Sequence, residues 1–242
     1  MPPTLETALK TLDEVDTYAA CREIEAAPTA VAACELYHQA LKTLYFQRRD
    51  LRGMTAVGRA GIHFALSRAQ VITSDDPAQA AELRSWAKTM AYDLSANLWP
   101  GWRDEGITLT EADLANGLEA ARLNLRLAIE LDKPLDRQAD AHWLVGAHEL
   151  AAHRSAAAIA AFTKSAELAL AADQLDTALM SRGYVAIAQL QANPADQQAR
   201  AVLDGEIAKL RERGTDDASF FADQLVSVGE LYGRVAERAA DR

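Results

Sequence analysis

Small and apolar residues recur along most of the chain three and four positions apart, the spacing of one face of an α-helix. In the stretch AAIAAFTKSAEL, the residues Ala158, Ile159, Phe162, Ser165 and Ala166 follow this spacing. No stretch alternates apolar and polar residues with the period of two that marks a half-buried strand. The pattern therefore predicts an all-α protein.

Helix start and stop signals divide the chain into about ten helices. Thr29, Thr110 and Thr215 stand at favourable capping positions, and Asp76 precedes Pro77 in the arrangement preferred at a first helical turn. Short connections between such helices favour antiparallel neighbours. The predicted helices cover residues 4–26, 29–48, 54–72, 77–98, 110–131, 136–153, 155–172, 175–191, 194–213 (with Asn193 as its cap) and 215–239. The predicted loops include RDLRG at 49–53 and WPGWRDEGITL at 99–109.

Parts of the chain repeat with a spacing of 37 residues, which separates Leu125 from Phe162 and Gly146 from Gly183. Three large residues are each followed by a glycine 21 positions later, in the pairs Tyr37–Gly58, Leu125–Gly146 and Phe162–Gly183. A glycine inside a helix costs about 1 kcal/mol relative to alanine. We therefore expect Gly146 and Gly183 to lie where a neighbouring helix comes close.

The stretch HWLVGAHELAAHRSAAAIAAFTKSAEL carries Trp143, Gly146, Ala158 and Phe162 in an order that resembles the tetratricopeptide repeat family. That family repeats every 34 residues, with a glycine in the first helix and an Ala-x-x-x-aromatic pattern in the second. The resemblance implies a right-handed α-solenoid of antiparallel helix pairs, in which the first helices line a concave groove. The implied organisation is a single helical-repeat domain over residues 1–242, less regular over 1–109, clearer over 110–213 and closed by a capping helix at 215–239.

Charge and length narrow the range of functions. The chain has 242 residues, a formal net charge of −10 and an isoelectric point near 5.0. An acidic surface argues against general nucleic-acid binding, which needs cations to displace counterions from phosphates. The first residues, MPPTLETALK, lack the apolar core of a signal peptide, and no apolar run approaches the roughly 18 residues of a membrane span. We therefore expect a cytoplasmic protein whose two cysteines, Cys21 and Cys34, are small buried residues.

The stretch HELAAH, from His148 to His153, is close to the zinc-protease signature HExxH. Histidines four positions apart lie about 40° apart around a helix, but a separation of five turns them about 140° apart. His142, six positions before His148, also points elsewhere. We therefore expect no zinc site here and no cofactor.

Two stretches are candidates for contact with a partner. The first is a basic cluster that includes Arg48, Arg49, Arg52 and Arg59, which either receives an acidic partner or is a solvated surface. Arg52 and Arg59, seven apart, share a helix face if their helix begins early. The second is the pair Trp99 and Trp102, which either anchor an interface or form a small core of their own.

No nucleotide-binding glycine loop is present in the sequence, and no arrangement of catalytic residues can be argued from it. The sequence therefore predicts a non-enzymatic scaffold that binds a protein or peptide segment in a groove between repeated helices. Two alternatives stay open. One is a helical sensor with an internal pocket for a small ligand, and the other is a protein that associates with itself through an end helix.

Overall fold

A computed structural model describes the backbone of residues 3–240 and the side chains of residues 3–232. Within this part of the chain there are eleven α-helices, one short 3₁₀ helix at Pro100–Trp102 and no strand, which confirms the predicted all-α class. The helices are α1 (Leu5–Glu14), α2 (Thr17–Glu25), α3 (Ala30–Phe46), α4 (Leu51–Ile72), α5 (Pro77–Asn97), α6 (Glu111–Glu130), α7 (Leu135–Ala151), α8 (Ser155–Ala171), α9 (Leu175–Ala192), α10 (Gln197–Arg213) and α11 (Asp216–Ala240).

The helices form two compact units. Unit 1 contains α1 to α6, and unit 2 contains α7 to α11 together with the segment Trp99–Arg103, which lies between α5 and α6 in the sequence. Within each unit, helices that follow one another in the sequence pack against each other. The predicted single repeat domain over the whole chain stays a prediction.

Side-chain caps fix several helix starts where the sequence predicts them. The hydroxyl oxygens of Thr29, Thr110 and Thr215 accept the amide N–H three residues later at 3.1, 3.2 and 3.1 Å. Asp76 does the same for the amide of Gln79 at 2.9 Å. Each cap satisfies a backbone donor that has no partner within its helix.

Three predicted boundaries are wrong, and an aspartate accounts for each of them. The helix predicted over residues 4–26 is broken, because Asp16 caps a new helix by accepting the amide of Ala19 at 2.7 Å. The RDLRG loop is mostly helical, because Asp50 caps α4. The helix predicted to begin after Asn193 begins at Gln197, with Asp196 as its cap.

The turns between α7 and α8 and between α8 and α9 have the same geometry. His153 and Asp173 hold left-handed backbone conformations, with φ of 55° and 58°. The next amides, those of Arg154 and Gln174, donate to the carbonyl five residues earlier at 2.9 and 2.8 Å. This is the Schellman arrangement, which satisfies the free carbonyls at a helix end. The two turns lie 20 residues apart, so they give consecutive helices the same connection but do not follow the 37-residue spacing of the sequence.

The glycines of the repeat lie at close helix contacts, as predicted. A Cβ atom added at Gly146 on α7 would lie 2.7 Å from the ring of Phe162 on α8. One added at Gly183 on α9 would overlap the side chain of Leu225 on α11. At both positions a Cβ would come too close to another carbon atom, so the glycines allow these helices to approach each other.

Candidate functional site

The arginines of the basic cluster make separate contacts within unit 1. Arg48 donates to both carboxylate oxygens of Asp13, at 2.8 and 3.0 Å, and so joins the end of α3 to α1. Arg49 occupies the left-handed position of the α3–α4 turn, with its guanidinium 6.0 Å from the ring centre of Tyr45. These two side chains are therefore directed to different neighbours.

Arg52 and Arg59 do lie on one helix, because α4 begins at Leu51. Arg59 donates to Asn116 at 2.5 Å and to Glu119 at 3.1 Å, both on α6. Arg52 is exposed and makes no ion pair or hydrogen bond with any residue that the structure describes. Arg59 thus bridges two helices of unit 1, and a role for these four arginines in binding a partner stays a prediction.

The two tryptophans at 99 and 102 are part of an aromatic cluster within unit 2. Trp99 is 1% exposed, and its indole N–H donates to the carbonyl of Ala147 on α7 at 3.2 Å. Its ring centre lies 4.8 Å from that of Trp102 and 5.3 Å from that of Trp143. Trp102 is half-buried and stacks on Phe220 of α11. Trp99 therefore cannot serve as an exposed interface anchor in this structure, and the small local core is the alternative that fits the geometry.

The first four residues of the HELAAH stretch form the last turn of α7, and the other two follow the helix end. His148 is buried, whereas His153 is exposed and lies beyond the helix end in the left-handed position described above. Glu149 forms an ion pair with Arg154, which begins the next turn. No group of three or more histidine, cysteine or acidic residues in the described part of the chain could hold a metal ion.

An open groove of about 450 Å³ lies on unit 2 between α8 and α10. Helix α9 forms its floor, because α9 packs against both of its neighbours. Leu170 and Val202 stand at the two edges, where they are 42% and 40% exposed. The other apolar residues that line the groove are Ala166 on α8, Val185 on α9 and Ala199 on α10.

Two charged side chains in this groove have polar atoms without a hydrogen-bond partner among the described residues. Glu206 is 6% exposed, and its Oε1 accepts from Lys209 at 2.8 Å. Its Oε2 is shielded from solvent and has no hydrogen-bond partner in the structure. Arg182, half-buried on α9, makes no ion pair or hydrogen bond within the described residues. Since an unpaired buried carboxylate oxygen is costly, the groove is suited to a ligand that supplies the missing partner.

Unit 1 contains a similar but smaller groove. It lies between α4 and α6 over Leu94 of α5, and its volume is about 200 Å³. Arg59 spans it through the hydrogen bonds to Asn116 and Glu119 given above. The two grooves differ in their arginines. Arg59 has hydrogen-bond acceptors on α6, whereas Arg182 has no acceptor among the described residues. We therefore take the α8–α10 groove as the candidate functional site.

This groove was not predicted from the sequence. A signal was nevertheless present in α8. Its core face contains Ala158, Phe162 and Ala169, and a second stripe of Ala166 and Leu170 lies beside it. A face this wide can contact more than one neighbour. Only the fold shows that Ala166 of this stripe is buried and that Leu170 stays exposed.

Burial sets the protonation of several groups within the two units. It raises the pKa of the Cys34 thiol to about 12 and also raises that of Cys21, so both thiols stay protonated near neutral pH. The pKa of the Tyr184 hydroxyl, at the centre of the aromatic cluster, is raised for the same reason. Burial, with a smaller effect from Lys164, lowers the pKa of His142.

No helix among the described residues combines the length and the apolar character needed to cross a membrane. No family model, curated protein or solved structure matches the chain. The candidate function therefore has to be argued from the geometry of unit 2.

Proposed function

We propose that the chain is a non-enzymatic protein–protein interaction module, and that a segment of the partner lies in the groove between α8 and α10. The observation that carries this proposal is the apolar lining contributed by three successive helices, with Leu170 and Val202 exposed at its edges. Leu170 and Val202 stay exposed beside the buried Ala166 and Ala199, and an exposed apolar surface rimmed by polar residues commonly marks an interaction site.

This site differs from the groove of first helices that the sequence predicts. In unit 2 the candidates for first helices are α7, α9 and α11. The chain's own Trp99 and Trp102 pack against residues of these helices, including Trp143, Tyr184 and Phe220. A partner would have to displace these rings to bind there, whereas the α8–α10 groove is open.

The proposal includes a tetratricopeptide-like arrangement of α7 to α10, continued as a right-handed solenoid. Two features support it. The turn within the α7–α8 pair and the turn from α8 to α9 are both Schellman turns, and the contact between Gly146 and Phe162 joins the glycine of a first helix to the aromatic residue of a second. A cytoplasmic location is likewise part of the proposal.

Selection of helical peptides tests the proposed function. A display library of amphipathic helices with randomised faces is selected on the full chain, and the Kd of each binder is measured by fluorescence anisotropy. We expect binders to lose at least about tenfold in affinity on Val202→Glu, because a charge on the groove wall opposes burial of apolar surface.

The matched control is Ile129→Glu, which places the same charge on an exposed apolar residue outside the groove. Its circular dichroism and its peptide affinities should match those of the parent chain. Binders that are weakened equally by both variants, or by neither, would show that the groove is not the binding site.

A further inference from the structure

We infer that the α8–α10 groove recognises an amphipathic helix of a partner protein that carries a lysine and an acidic residue on its apolar face. The lysine ammonium would donate to Oε2 of Glu206, and the partner's carboxylate would accept from Arg182. This inference rests on the proposed function and adds the chemistry of the partner to it.

The cation follows from the state of Glu206. Its carboxylate has one oxygen bound to Lys209 and one oxygen buried without a donor. Hydrogen bonds to a charged carboxylate are roughly twice as strong as neutral ones. Oε2 is shielded in the structure, so the Glu206 side chain has to rotate to present it to the groove. A lysine suits this position, because its apolar stem can lie along Leu170 and Val202 while its ammonium group supplies the donors. The net charge of −10 also attracts a basic partner.

The carboxylate follows from Arg182. A guanidinium has five N–H donors in a planar fork that matches a carboxylate. Within the described residues none of the donors of Arg182 is used. In the smaller groove of unit 1, Arg59 of the wall helix α4 donates to an amide and a carboxylate oxygen on the opposite wall, α6. Arg182 lies on the floor helix α9, where a partner helix in the groove would supply the acceptor.

The dimensions of the groove favour a helix as the occupant. Its walls extend from Thr163 to Leu170 on α8, a length of roughly 12 Å at 1.5 Å per residue, or about two helical turns. The walls are formed by helices, whose amides and carbonyls are paired internally, so an extended strand would find no free backbone edge. A small ligand would be poorly enclosed by edges as exposed as Leu170 and Val202.

Four defined peptides test the inference. Each is a 14-residue, acetylated and amidated helix of alanine, leucine and glutamine with a fluorescein label. They differ at two positions of the apolar face, which hold Lys and Glu, Lys and Gln, Gln and Glu, or Gln and Gln. Affinity for the full chain is measured by anisotropy at low salt and at 0.5 M salt.

We expect the peptide with both charges to bind most tightly. Glu206→Gln should weaken the two lysine peptides by about tenfold or more and leave the others unchanged, since hydrogen bonds to charged groups contribute about 1.5–3 kcal/mol. Arg182→Gln should weaken only the two glutamate peptides. Glu212→Gln and Arg211→Gln, exposed positions on α10 with the same changes in charge, should leave all four affinities unchanged.

Equal affinities for the four peptides, unaffected by Glu206→Gln and Arg182→Gln, would overturn the inference. If Val202→Glu still abolished that binding, the groove would remain the site and the proposed function would stand. Failure of all four peptides to bind at 1 mM would also overturn the inference, and the library selection would then decide the proposed function separately. A dimer of the chain alone that Val202→Glu dissociates would overturn it in favour of a second copy as the occupant.

Discussion

At the scale of single residues, Gly146 decides how closely α7 and α8 approach each other. In an open helix, replacing glycine with alanine stabilises by about 1 kcal/mol. At Gly146 the added methyl group would meet the fully buried ring of Phe162 at 2.7 Å. We therefore expect Gly146→Ala to destabilise the chain, and Gly146→Leu to do so by about 1–3 kcal/mol through overpacking. Urea unfolding measures both changes.

The control for this prediction is Gly205→Ala. Gly205 lies inside α10, and a Cβ added there meets no atom within 4 Å. This variant should gain up to about 1 kcal/mol. Equal shifts of the urea midpoint for the two alanine variants would contradict the close contact at Gly146.

His142 links the stability of the chain to pH. Burial and Lys164 lower its pKa in the folded chain, whereas the ordinary histidine pKa is about 6.5. Below that pH the unfolded chain binds more protons at this position than the folded chain does, so the free energy of unfolding falls as the pH drops. Well above about pH 6.5, His142 is neutral in both the folded and the unfolded chain, so it does not change the free energy of unfolding.

The test replaces His142 with glutamine and measures urea unfolding from pH 5 to pH 8. Relative to this variant, the parent chain should lose stability below about pH 6.5. Parallel curves for the parent and His142→Gln would show that His142 titrates normally in the folded chain.

At the scale of elements, the turn between α8 and α9 depends on one left-handed residue. Asp173 has a φ of 58° there, a conformation that aspartate tolerates and a β-branched residue does not. We expect Asp173→Val to destabilise by about 1–2 kcal/mol, and Asp173→Gly to stay within about 1 kcal/mol of the parent. Urea midpoints compare the two. A valine variant as stable as the glycine variant would mean that the turn relaxes to another geometry.

The Trp99–Arg103 segment stabilises unit 2 through one buried ring. Trp99→Ala removes a side chain that is 1% exposed, and we expect a loss of about 3–5 kcal/mol. Trp99→Phe keeps a ring but loses the hydrogen bond to Ala147, and should cost less. Trp102→Ala, at a half-buried position, should also cost less. Denaturant unfolding ranks the three variants, and a Trp99→Ala loss no larger than that of Trp102→Ala would contradict the central position of Trp99.

Prediction from sequence worked best where an element is defined by local chemistry. The caps at Thr29, Asp76 and Thr110 were recognisable, because a hydroxyl or carboxylate three residues before a free amide acts within one turn. The close contact at Gly146 was recognisable from the cost of a helical glycine. The break at Asp16 was missed because the same residue also fits a helix surface.

Features that depend on residues far apart in the sequence could not be predicted from local sequence patterns. The prediction of a basic cluster did not include Asp13 and Glu119, which lie 35 and 60 residues from their arginine partners in the sequence. The groove depends on the fact that α9 separates α8 from α10. Its charged residues Arg182 and Glu206 are indistinguishable in sequence from the many charged residues that find solvent or a neighbour.

At the scale of the whole molecule, the chain alternates between its two units. Residues up to Leu98 belong to unit 1, Trp99–Arg103 to unit 2, Asp104–Asp132 to unit 1, and the rest to unit 2. The adjacent side chains of Leu98 and Trp99 are both buried and belong to different units. Unfolding of unit 1 would therefore release Leu98, which is bonded directly to Trp99, a buried anchor of unit 2. We expect the two units to unfold together.

Calorimetry of two variants tests this coupling. Gly61→Leu overpacks unit 1, where a Cβ would meet Tyr37 and Met90 at 2.8 Å, and Gly146→Leu overpacks unit 2. Each should lower the midpoint of one shared transition, with equal calorimetric and van't Hoff enthalpies. Two resolved transitions, each moved by only one of the variants, would show that the units are independent domains. Trp99→Ala removes the anchor of unit 2 that adjoins Leu98 of unit 1, and we expect it to be the variant that separates the transitions of the two units.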